Sequence, residues 1–202
     1  MITKEKLIAQ YLRRLYFKGL TTCYGGNISI RDIDSYLISE TGVDKSIIED
    51  TNVARMSYND INLNNVQQSS EYQIHRMIYQ ARPDINSIVH AHPPYATAFA
   101  LANENLDSRI SSEMFKNLGT IAIAEYAKPG SIELAEIVTN TALISDSIIM
   151  ANHGVIVLAN NIHQAYYMME LIEQLAHMVY VIKTIGDGQV ISDTQLNLLG
   201  GI

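Results

Sequence analysis

The sequence predicts a single α/β domain, and three observations carry that expectation. Apolar residues recur at helical spacing in long stretches. Shorter stretches between them alternate apolar and polar residues, or run apolar for a few positions, as strands do. No internal repeat, low-complexity tract or linker divides the 202 residues, and a chain of that length buries a sizeable core without covalent staples.

Taken in order, Leu7, Ile8, Tyr11, Leu12 and Leu15 form the stripe of a first helix over 3–18, with Gly19 as its stop. Gly25-Gly26-Asn27 then turns the chain into a strand ending near Ile30, and a second strand, Tyr36 to Ser39, pairs back on it. Thr41-Gly42 makes the next turn. Residues 44–68 are polar, with Asp/Asn clusters and short apolar runs, and predict no definite element. Ser70 with Gln73 three residues on has the form of a capping box, opening a helix over 70–82 that stops before Pro83. A strand over Asn86 to His92 follows, then a helix from about Tyr95 to Ala102. Ser131 caps a helix carrying Leu134, Ile137, Val138 and Thr141. Ser147–Met150 and Val155–Leu158 read as strands around Ala151-Asn152-His153-Gly154, and Asn161 to Lys183 is the longest helix. Its Glu170, Glu173, Gln174 and His177 interrupt the apolar run too often for a membrane span.

Composition excludes several function classes. Fourteen basic against 21 acidic residues give a net charge of −7, which disfavours nucleic acid and anionic membranes as partners. A phosphate recognised by such a chain must be caught locally. Cys23 is the single cysteine and reads as a small buried filler, so the composition suits a reducing compartment. Charges at Lys4, Glu5 and Lys6 without a following apolar run argue against a signal sequence, and the expected location is cytoplasmic.

The chemistry gathers at Ile88-Val89-His90-Ala91-His92-Pro93. On a strand, residues two apart share a face, which places His90 and His92 about 6.6 Å apart along one side. Alone, that pair equally describes a half-buried strand with polar residues toward solvent. Glu71 at a helix start and His153 in a turn between strands extend it to one carboxylate and three imidazoles. That set suits Zn²⁺ or a similar divalent ion with a position open to substrate. Ser69 and Ser70, standing alone, read as helix caps. His75 lies one helical turn after Glu71, where it could support that residue, but the expectation is a surface or packing role.

Gly26-Asn27-Ile28-Ser29, Thr41-Gly42, Ser69-Ser70-Glu71, His90-Ala91-His92-Pro93 and Asn152-His153-Gly154 stand in the order and approximate spacing of one family. On these motifs the chain resembles the class II aldolase/adducin family from the first helix to about Lys183. The resemblance implies a three-layer αβα domain, with a central, mainly antiparallel sheet flanked by helices, spanning 1–202 with the tail 184–202 outside the clear likeness. It implies a metal-dependent lyase acting on a ketose phosphate through an enediolate. His90, His92 and His153 would be ligands to Zn²⁺, or to Mn²⁺, Co²⁺ or Mg²⁺. Glu71 would bind or neighbour the metal and act as acid/base, and Asn27, Thr41, Gly42, Ser69 and Ser70 would hold the substrate phosphate. It implies a homotetramer with sites near subunit interfaces.

Two departures mark the aldehyde side. Where the family's aldolases use a tyrosine as proton donor, this chain reads Ser111-Ser112-Glu113-Met114, which makes Glu113 a substitute donor, a solvent-exposed residue or a sign of a different reaction. Where they use an aromatic tail from a neighbouring subunit, the chain reads Asn197 to Ile202 without an aromatic. The alternatives within the resemblance are a methylthioribulose-1-phosphate dehydratase-like lyase, an L-ribulose-5-phosphate 4-epimerase-like isomerase and a non-catalytic adducin-head-like scaffold.

Overall fold

The computed structural model describes residues 2–196 and places seven strands in one sheet with helices against both faces. The first helix, α1 (Lys4–Phe17), begins where the Thr3 hydroxyl accepts from the Lys6 N–H, and it buries Ile8, Tyr11, Leu12 and Leu15. β1 (Asn27–Arg31) and β2 (Ser35–Ser39) form the expected hairpin, with Ser29 opposite Ile38. β3 (Val53–Ser57) comes from the stretch that predicted no element and lies antiparallel to β2 at the sheet edge. Next come α2 (Tyr72–Ala81), β4 (Ser87–Ala91), α3 (Pro94–Ala102), a 3-10 turn at Ser108–Ile110, α4 (Ser112–Leu118) and β5 (Ile121–Ala124). The chain continues through α5 (Ile132–Ala142), β6 (Ser147–Met150), β7 (Gly154–Ala159), α6 (Ile162–Ile185) and α7 (Asp193–Leu196).

The strand order is β3-β2-β1-β4-β7-β6-β5. Only β5 and β6 run parallel, which is why a helix, α5, connects them; every other neighbouring pair is antiparallel. The sheet is therefore mainly antiparallel and the layers are αβα. Side-chain alternation sorts the core onto two faces. Ile28, Ile30, Val89, Ala91, Val155 and Val157 pack toward α1, α3 and α6, whereas Ile38, Ile88, Ile156 and Leu158 pack toward α2 and α5. β4 lies between β1 and β7, so whatever it carries at its end is walled on two sides by backbone.

Two expectations need correction. α2 starts at Tyr72, and no Ser70/Gln73 capping box forms; Glu71 occupies the N-cap without capping the helix through its side chain. Its carboxylate is turned instead toward Asn27, His90 and His153, and the Ser69 hydroxyl accepts the Glu71 N–H at 3.3 Å. The strand predicted to reach His92 stops at Ala91, whose pairing with Val155 is the last between β4 and β7. The His92 N–H donates instead to the Leu20 carbonyl at 3.1 Å. Ser131 and Asn161 cap α5 and α6 through their side chains, accepting from Leu134 and Gln164.

Candidate metal centre

Each functional side chain is delivered by an element end. His90 sits one residue before the end of β4, paired with Asn27 of β1 and Ile156 of β7. His92 follows β4 directly, and His153 occupies the tight turn between β6 and β7. Asn152 adopts a left-handed φ of 56° there, a conformation asparagine tolerates better than most residues. A Cβ on Gly154 would lie 2.7 Å from both the His92 ring and the Ala91 carbonyl, and one on Gly26 would lie 2.8 Å from the His90 carbonyl. Those two glycines let the turns close onto the histidines.

The three imidazoles converge. Ring centroids are 4.7 Å apart for His90 and His92, 4.9 Å for His90 and His153, and 5.4 Å for His92 and His153. One nitrogen of each lies within 4.8 Å of the others. His90 Nδ1 is 2.9 Å from the Val155 carbonyl, which only accepts, so Nδ1 carries the hydrogen. Nε2 then presents a lone pair to the site. That atom is buried without a hydrogen-bond partner, as are Glu71 Oε1 and His153 Nδ1.

Glu71 completes the cluster from the helix side, with Oε2 3.2 Å from His90 Nε2 and Oε1 3.4 Å from His153 Nε2. Burial pushes its carboxyl up, but the imidazoles of His90 and His153 and the Asn27 amide outweigh burial and hold it below the usual range. Burial, reinforced by the repulsion that two charged rings would meet beside His90, pushes His92 down to about 3 and lowers His153 as well. Neutral imidazoles and an ionised carboxylate are the protonation states that metal ligation needs. Buried lone pairs facing one another without a donor are costly. A divalent cation between the rings and the carboxylate would relieve His90 Nε2 and Glu71 Oε1 together, so the donor set fits the metal that the sequence motifs imply.

The expected phosphate residues are brought together unevenly. The Ser69 N–H donates to the Ser39 carbonyl, and the Thr41 N–H to the Gln67 carbonyl, so the segments carrying Thr41 and Ser69 run side by side. Ser69 is buried, whereas Ser70 and Gly42 are exposed. Asn27 is turned inward: its Nδ2 donates to Glu71 Oε2 at 2.9 Å and its Oδ1 faces His75. One amide hydrogen remains for a further acceptor. Lys45 is buried at 1% exposure and donates to the carbonyls of Glu40 and Val43, placing an ammonium beneath the Thr41–Gly42 turn. Sequence reasoning missed it because it reads as one charge in a polar stretch.

Glu113 stands apart from this cluster, exposed on α4 and accepting from the Tyr167 hydroxyl of α6 at 3.3 Å. The tail Asn197 to Ile202 lies outside the described residues. His75 is fully buried, contrary to the surface role allowed for it, and contacts Asn27 and Ser29. The four-residue spacing from Glu71 was the signal for it. Among the described residues no helix is long and apolar enough to cross a membrane.

Comparison with known proteins accords with this geometry. Residues 6–180 match the family model of the class II aldolase and adducin N-terminal domain. A curated L-fuculose phosphate aldolase of Methanococcus maripaludis is 35% identical over 175 residues, covering 86% of this chain and 94% of that protein. A 3-oxo-tetronate 4-phosphate decarboxylase of Haemophilus influenzae is 30% identical over 191 residues, covering 90% and 89%. A solved L-fuculose 1-phosphate aldolase superposes with a TM-score of 0.89 at 29% identity, covering 98% of this chain and 96% of that one. With its sheet, its histidine cluster and most of its length accounted for, the chain belongs to the class II aldolase/adducin family, as a lyase of the aldolase type.

Proposed function

We propose that the chain cleaves a ketose 1-phosphate, L-fuculose 1-phosphate or a close analogue, into dihydroxyacetone phosphate and an aldehyde. The observation that carries this reading is the Glu71 carboxylate set beside three convergent imidazoles on a chain 35% identical to an L-fuculose phosphate aldolase. A divalent cation held by His90, His92 and His153, with zinc first and Mn²⁺, Co²⁺ or Mg²⁺ as alternatives, would supply the positive charge against which negative charge develops on adjacent substrate oxygens. In the synthetic direction the ionised Glu71 carboxylate takes a proton from the carbon beside the carbonyl of dihydroxyacetone phosphate. Cleavage is the reverse, in which Glu71 carrying that proton returns it to the same carbon once the carbon-carbon bond has broken. Thr41, Gly42, Ser69, Ser70 and the second amide hydrogen of Asn27 bind the phosphate by hydroxyl and N–H groups, with Lys45 supporting the turn from below. Fixing that end holds the reacting carbon near Glu71.

The homotetramer and the cytoplasmic location belong to the same reading. Glu113, exposed on α4, is the candidate for the aldehyde-side proton, and in this reading it acts at the site of a neighbouring subunit. A second reading has specific support from the Haemophilus decarboxylase relative. Loss of CO₂ from a phosphorylated 3-oxo acid leaves an enediolate of the same kind, and the same groups would protonate it.

The test loads the purified protein with Zn²⁺ and follows dihydroxyacetone phosphate release from L-fuculose 1-phosphate. In parallel it follows CO₂ from 3-oxo-tetronate 4-phosphate, water elimination from methylthioribulose 1-phosphate and epimerisation of L-ribulose 5-phosphate. Aldol cleavage at the highest kcat/KM is expected. A higher value for any other arm would overturn the reading in favour of that reaction, and no turnover with no bound metal would favour a scaffold.

A further inference from the structure

Behind Glu71, the face of β1 that meets α2 carries an unbroken line of buried polar groups. Glu71 Oε2 lies 2.9 Å from Asn27 Nδ2, and Asn27 Oδ1 lies 2.5 Å from His75 Nε2. His75 Nδ1 is 2.7 Å from Ser29 Oγ, which is 2.7 Å from the Tyr79 hydroxyl. Asn27 is 4% exposed, Tyr79 1%, and Ser29 and His75 are fully buried.

The direction of every hydrogen in this line follows from its first member. An ionised carboxylate only accepts, so the amide nitrogen of Asn27 must face it and the amide oxygen must face His75. That oxygen also only accepts, so His75 Nε2 carries a hydrogen. Burial keeps the ring neutral, so Nδ1 is a lone pair and takes the Ser29 O–H. The Ser29 oxygen is then left to accept the Tyr79 O–H. With Oε2 committed to Asn27, Glu71 Oε1 is the oxygen without a hydrogen-bond partner.

We propose that His75 is a positioning residue: buried as the Nε2–H tautomer, with Nδ1 accepting from Ser29, it locks the Asn27 amide in the one orientation that donates to Glu71. A flipped amide would put its carbonyl against the carboxylate and drive Glu71 out of line with His90 and His153. The role in turnover rests on the reading of Glu71 as the acid/base, whereas the tautomer and the amide orientation do not.

Two-bond ¹H–¹⁵N spectra of the labelled protein without substrate read the tautomer directly, with His75→Gln assigning the ring signals. A neutral ring at pH 7 protonated at Nε2 alone is expected; protonation at Nδ1, or a mixture of tautomers, would overturn the proposal. His75→Gln places an amide N–H near the position of Nε2 and is expected to keep the Asn27 amide resonances and turnover within about threefold. His75→Phe fills the space without a donor and is expected to shift those resonances and to lower kcat about 10–100-fold with KM little changed. Equal losses in the two variants would assign His75 to packing and overturn the proposal. Should the Phe variant fail to fold, the tautomer of the unaltered protein still decides. Full turnover in Glu71→Gln, with His75 found as Nε2–H, would remove the acid/base reading alone.

Discussion

The two faces of β1 solve burial in opposite ways. Toward α1, α3 and α6 the central strands present Ile28, Ile30, Val89, Ala91, Val155 and Val157, and α6 answers with Met168, Met169, Ile172, Leu175 and Ala176. Toward α2, the same β1 and β4 present Asn27, Ser29 and His90, and the helix answers with His75 and Tyr79. Apolar contacts are non-directional and add stability in proportion to the area removed from water. Polar groups removed from water cost free energy unless each finds a partner, and the partners then fix geometry. On β1, one face thus joins the apolar core while the other orients the chemistry, and the apolar packing on the α2 side is left to Ile38, Ile88, Ile156 and Leu158.

Three experiments sharpen or break this contrast. The largest expected effect is on the polar face. Glu71→Gln is nearly isosteric but cannot take up the proton, so kcat should fall by about 10²–10⁴-fold with the thermal midpoint little changed. Near-normal turnover with full metal occupancy would place the base elsewhere.

On the apolar face, Leu175→Ala removes a fully buried side chain from α6 and should cost about 2–5 kcal/mol in urea unfolding. The surviving folded fraction should still bind about one equivalent of Zn²⁺. A variant that kept its stability but lost metal would show that the two faces are coupled rather than divided.

The smallest expected effect concerns pH. His75 is pushed by burial to about 3 from its ordinary 6.5, so below pH 6.5 the unfolded chain binds a proton that the folded chain refuses. Stability is then lost as pH falls from 6.5 toward 3, by about 2 kcal/mol between pH 7 and 5 for this one group. The loss over that interval should be smaller in His75→Gln than in the unaltered protein. Identical slopes would mean that His75 charges inside the fold.

The amino-acid sequence by itself determined the parts whose cause is local. The stripe of α1, the caps at Ser131 and Asn161, the β1–β2 hairpin and the length of α6 follow from periods of 3.6 and 2 and from residues that bond their own neighbours. The histidines were legible because His90 and His92 stand two residues apart at the end of an apolar run and turn signals surround His153. Tertiary structure alone decided where β3 and β5 lie: no clear alternation marks either stretch, and each is held by its partner, β3 by β2 and β5 by β6. It also decided that Glu71 faces the imidazoles instead of capping α2, and that Lys45 is buried beneath a turn. Asn27 and Ser29 stand far along the chain from His75 and Tyr79, and they meet only once β1 has paired with β4 and α2 has docked across them. Which nitrogen of His75 holds the hydrogen is set by those neighbours, because an imidazole has no preference strong enough to choose for itself once both nitrogens are in hydrogen-bond contact.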